Sequence, residues 1–97
     1  MSDPSDDSVL TVRVNYTGRV QGVGFRYTTR EIAGQHPVAG YVKNLPDGSV
    51  ELVAQGLDAG VEGFLSAVAE RFRGNLRGTD RRTVTVPEEF TTFEIRH

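Results

Sequence analysis

The sequence predicts an α+β domain in which two helices lie on one face of an antiparallel sheet, ordered β-α-β-β-α-β with a short extra strand at the end. Three observations carry that prediction. Apolar and polar residues alternate at Leu10, Val12, Val14 and Tyr16, and they alternate again around a Pro46-Asp47-Gly48 turn. Two other segments, Phe25 to Ala33 and Val61 to Phe72, repeat their apolar residues at helical spacing. Period two calls for a sheet with one covered face, and the helical stripes supply the cover.

Met1 to Ser8 are Ser, Asp and Pro with no apolar side chain beyond Met1, so residues 1–8 are expected to be a disordered acidic leader to a domain spanning 9–97. The first strand starts near Val9. Gly18, Gly22 and Gly24 break its pattern within seven residues. Phe25, Thr29, Ile32 and Ala33 then form a short helical face that ends near Gly34 and Pro37. Val38 to Gln55 reads as a hairpin, Tyr41 and Val42 leading into the turn and Val50, Leu52 and Ala54 returning from it. Val61, Phe64, Leu65, Val68 and Phe72 define a second helix, with Asp58 as its expected N-cap and Gly74 as its stop. A strand is expected at Thr83 to Val86, before Pro87, and a last one at Phe93 and Ile95. Two helices set among such strands bury both apolar stripes on one sheet face, which is the ferredoxin-like, split βαβ arrangement.

Composition removes several function classes. With 97 residues and 37% hydrophobic content, one core is the limit. The absence of cysteine excludes disulfides, thiolate metal sites and thiol nucleophiles, and the two histidines, His36 and His97, stand far apart. No metal or cofactor is expected. Apolar runs of a few residues cannot span a bilayer, and the acidic N-terminus is unlike a signal peptide; a cytoplasmic monomer without a membrane partner is expected. A formal net charge of -2 gives no global attraction to nucleic acid, although Arg71, Arg73, Arg77, Arg81 and Arg82 form a basic run.

Two segments have residues suited to chemistry. Gly18-Arg19-Val20-Gln21-Gly22-Val23-Gly24-Phe25-Arg26 joins a strand to a helix, where backbone amides and the helix N-terminus can converge on an anion and Arg26 adds a permanently charged fork. The spacing is neither that of a dinucleotide-binding loop nor that of a Walker loop, and by itself it fits a glycine-rich turn with a solvated arginine equally well. Gly40-Tyr41-Val42-Lys43-Asn44 ends the second strand, and taken alone Asn44 reads as a residue capping the turn.

Together, GRVQGVGFR at Gly18 to Arg26 and GYVKN at Gly40 to Asn44 resemble the two signature stretches of the acylphosphatase family. The resemblance runs from about Val9 to the C-terminus, and the Pro46-Asp47-Gly48 turn and the terminal Phe93-Glu94-Ile95-Arg96 fit it. It implies the ferredoxin-like fold and hydrolysis of the carboxyl-phosphate bond of small-molecule acyl phosphates, without metal or cofactor. It also implies site roles: Arg26 binds the phosphoryl group, backbone amides of Arg19, Val20, Gln21, Gly22, Val23, Gly24 and Phe25 share that task, and Asn44 orients water. The chemistry agrees, because a carboxylate is a good leaving group and the reaction then needs charge stabilisation and an aligned water more than an acid. Tyr16, Tyr41 and the His36-Pro37 pair depart from the residues usual in the family, at positions that bear on packing. In the family the chain-end carboxylate can pair with the catalytic arginine, which makes His97 a candidate neighbour of Arg26.

Two other readings compete. Ferredoxin-like domains include single-strand RNA binders, but the aromatic strand motif those domains use is missing here. The same two stretches also occur in modules of larger maturation proteins; with no zinc-finger cysteines after His97, a stand-alone domain is expected.

Overall fold

Five strands and two helices follow one another as β1 (Val9–Gly18), α1 (Phe25–Ala33), β2 (Val38–Asn44), β3 (Val50–Leu57), α2 (Asp58–Arg71), β4 (Leu76–Thr83) and β5 (Phe93–Arg96). They are those of a computed structural model that describes residues 9–97; the expected leader at 1–8 lies outside the described residues. The strands order as β4-β1-β3-β2-β5 in one sheet. Val12, Val14 and Tyr16 of β1, Val42 of β2, and Val50, Leu52 and Ala54 of β3 point to one face. Phe25 and Ala33 of α1 and Val61, Phe64, Leu65 and Val68 of α2 pack on that face to make a single core. This is the ferredoxin-like split βαβ fold, extended by β5.

The sheet is mixed where an antiparallel one was expected. β1 pairs antiparallel with β3 and β4, and β3 pairs antiparallel with β2, but β5 lies parallel to β2. The reason lies in the crossing after β4. The chain leaves β4 at the end of the sheet where β1 and β2 begin, with the Val84 amide on Thr11 O at 2.9 Å and Gln55 bonding to Glu88 O and the Phe90 amide. Having crossed at that end, β5 can only run the way β2 runs.

The fourth strand spans Leu76–Thr83 and not Thr83 to Val86. It is an edge strand with both faces largely exposed, so its sequence has no apolar alternation to read, whereas Val84 and Val86 fall in the crossing segment. Asp58 is likewise not the N-cap of α2. β3 runs into the helix without a linker, Leu57 takes the extended cap position, and Asp58 is the first helical residue, its carboxylate still placed favourably in the first turn. Phe72 caps the C-terminal end, ahead of Gly74.

The open face is covered by long polar side chains. Val53 is fully buried there, flanked in register by Arg13 and Tyr41. The Tyr41 hydroxyl donates to Glu51 at 2.8 Å, and burial first, then that bond, pushes its pKa up to about 12.

Candidate active site

The residues from Arg19 to Gly24 leave the end of β1 and enter α1 through glycines at 22 and 24, both at φ 77°, a conformation that only glycine adopts without strain. Gly24 is the N-cap and has no side chain to occupy the helix start. The first intrahelical bond runs from the Thr28 amide to Gly24 O at 3.0 Å, so the amides of Phe25, Arg26 and Tyr27 have no intrahelical acceptor and the positive end of the helix dipole faces the loop. The Phe25 ring is buried between Tyr16, with centroids 5.3 Å apart, and Phe72, at 4.4 Å. That packing fixes the start of the helix, and with it the backbone of Arg26.

Asn44 arrives from the hairpin. It is the last residue of β2 and pairs in register with Val50, across a turn closed by the Leu45 amide on Ser49 O at 2.9 Å and the Gly48 amide on Leu45 O at 3.1 Å. Asp47 accepts from the Ser49 hydroxyl and from the Ser49 amide at 2.9 Å, and these bonds hold its carboxyl below the usual carboxylate range.

Arg26 and Asn44 meet in a cavity of about 280 Å³ lined also by Val20, Gly22, Gly24, Phe25 and Tyr27. The Oδ1 atom of Asn44 is buried and has no hydrogen-bond partner among the described residues. A buried carbonyl oxygen so placed calls for a hydrogen-bond donor. The half-buried Arg26 is not neutralised: among the described residues no carboxylate lies within ion-pair distance of it, and its Nη1 is 3.2 Å from Nδ1 of His97. The candidate neighbour is present, and the contact is through the imidazole ring. A larger depression of about 670 Å³ at the other end of the sheet has Glu88 and Glu89 in its lining and no Arg or Lys, which suits it poorly to an anion.

The family model described as Acylphosphatase matches residues 12–95, a span that encloses this whole cavity. The chain belongs to the acylphosphatase family. An acylphosphatase from Lactobacillus gasseri is 44% identical over 87 residues, covering 88% of this chain and 96% of that protein. One from Archaeoglobus fulgidus is 38% identical over 90 residues, covering 92% of this chain and 100% of that one. The crystal structure of acylphosphatase from Bacillus subtilis superposes with a TM-score of 0.80 at 32% identity, over 91% of this chain and 99% of that chain.

Within this acylphosphatase domain, the named loop residues do not all face the cavity. The Arg19 amide donates to Asn75 O at 2.8 Å, while Asn75 Nδ2 donates back to Arg19 O at 3.1 Å, so Arg19 serves as the foot of the loop. Val23 is exposed, and the Gln21 side chain turns toward the hairpin. Sequence reasoning did not single out Tyr27, which also lines the cavity; its exposed ring has the Arg30 guanidinium 5.2 Å from its centre. Its position next to Arg26 was the available signal.

Four arginines of the basic run have partners within the domain. Arg81 is bidentate to Glu62, Arg73 pairs with Glu70, Arg82 lies 3.5 Å from Asp80, and Arg71 stacks over Phe72. On the open face, the Arg96 guanidinium lies over the Tyr41 ring, 4.2 Å from its centre. His36 packs against Phe64, with ring centroids 6.1 Å apart, as a structural loop residue.

Proposed function

We propose that this acylphosphatase hydrolyses acyl phosphates by in-line attack of a water held by Asn44 on a phosphoryl group held by Arg26 and the backbone amides of the loop from Val20 to Phe25. The observation that carries the reading is the buried Asn44 Oδ1 in the same cavity as Arg26, the first without a hydrogen-bond partner and the second without a carboxylate partner among the described residues. Arg26 and the amides stabilise the charge on the equatorial phosphoryl oxygens. Asn44 accepts a hydrogen bond from the water and fixes its direction of approach, but its amide cannot take a proton near neutral pH. The water oxygen bonds to phosphorus as the P–O bond to the acyl oxygen breaks; the carboxylate leaves with the bonding pair, and the water proton passes to a phosphoryl oxygen of the substrate itself. No covalent enzyme intermediate forms.

Hydrolysis of benzoyl phosphate in ¹⁸O-labelled water, with a chelator present, tests this scheme. The label is expected in inorganic phosphate and not in benzoate, with inversion at a chiral phosphorus. Label in benzoate, retention of configuration, or activity that needs added Mg or Zn would contradict it. Phosphate monoesters are expected to react far more slowly, because their alkoxide leaving groups need a proton donor and, among the described residues, the cavity lining holds no Asp, Glu or His side chain.

A further inference from the structure

The Gln21 amide lies between the two halves of the site. Its Nε2 donates to Leu45 O and to Ser49 O, each at 2.8 Å, across 24 and 28 residues of sequence. A glutamine amide has two N–H groups, and both are used here, which also fixes which way the amide points. Each acceptor already takes one turn amide, so each carbonyl uses both lone pairs. The turn these carbonyls close is stiff in its own right. Ser49 is buried, its hydroxyl donates to Asp47 and accepts from Asn15 Nδ2 at 3.0 Å, and Leu45 directly follows Asn44.

We infer that Gln21 is a positioning residue that sets the distance between the phosphate loop and Asn44. The inference rests on the water-holding reading of Asn44. Arg26 and the loop amides can bind phosphate wherever the hairpin lies, because they belong to one continuous segment, β1 to α1. The attacking water is held by a different segment, and two hydrogen bonds from a single side chain join the two. A displacement of the hairpin by a fraction of an ångström leaves the anion bound and misdirects the water.

A double-mutant cycle on benzoyl phosphate turnover, with inorganic phosphate binding measured alongside, tests this role. Gln21→Met keeps volume and removes both donors. It is expected to lower kcat on the order of 10-fold while phosphate affinity stays within about twofold of wild type. In the Asn44→Ala background the same change is expected to cost almost nothing further, because Gln21 acts through Asn44. Multiplying losses, a parallel fall in phosphate affinity, or wild-type kcat in Gln21→Met would overturn the inference while leaving Asn44 its role. Full turnover in Asn44→Ala alone would remove the reading on which it rests. Should Gln21→Met fail to fold, Gln21→Glu gives a second readout. Its carboxylate cannot donate at neutral pH, whereas the protonated carboxyl restores one bond, so its kcat relative to wild type is expected to rise as the pH falls through the carboxylate range. A flat ratio would refute the positioning role.

Discussion

At the scale of single residues, the roles proposed for Arg26 and Asn44 can be separated because they act on different species. Arg26→Ala removes charge-assisted bonds of about 1.5 to 3 kcal/mol each, so inorganic phosphate affinity and turnover are expected to fall together. Arg26→Lys is expected to recover only part of the loss, since an ammonium cannot present two parallel N–H groups to the phosphoryl oxygens. Asn44→Ala is expected to lower kcat on the order of 10² while phosphate affinity stays near wild type, because the lost contact is to water. Calorimetric titration of phosphate beside steady-state kinetics reads both effects. Loss of phosphate affinity in Asn44→Ala would return Asn44 to a turn residue, and circular dichroism must show the hairpin intact.

At the scale of elements, α2 and β4 are joined on the helix face by Arg81 and Glu62. The Arg81 guanidinium, chiefly by hydrogen bond, holds the Glu62 carboxyl below its ordinary range; burial opposes it, and the charge of Arg81 adds a lesser lowering. A carboxyl depressed in the folded state stabilises the fold above its unfolded pKa and loses that contribution as pH falls through the folded value. The side chains are 39% and 48% exposed, so solvent screening limits the pair to about 0.5–1 kcal/mol. Glu62→Gln is therefore expected to be slightly less stable than wild type at neutral pH and equal to it below the carboxylate range, as urea unfolding at the two pH values would show. A difference that persists in acid would assign the effect to packing of the glutamate stem.

At the scale of the whole molecule, the proposed site occupies one end of the sheet. The loop and Asn44 sit where β1 and β2 finish, whereas Val9 begins β1 ten residues away, about 30 Å at the rise of an extended strand. Removing residues 1–8 is accordingly expected to leave kcat and KM for benzoyl phosphate unchanged. A changed KM would place the leader in contact with the proposed site.

The sequence by itself determined the core and, through the two signature stretches, the family. Period-two and helical spacing gave β1, the hairpin and α2, because burial on one face imposes those periods on the residues that are buried. Arg26 and Asn44 were singled out by the resemblance of their two stretches to the family; taken alone, Asn44 reads as a turn residue. Only the tertiary structure decided the rest. β4 is exposed on both faces, so no apolar pattern marks it, and the parallel pairing of β5 follows from which end of the sheet the chain crosses. The engagement of the Arg19 amide by Asn75, the His97 ring beside Arg26 and the two bonds from Gln21 to the hairpin are contacts between residues at least 24 apart in sequence. They depend on how the segments pack against one another, which no local pattern in the chain encodes.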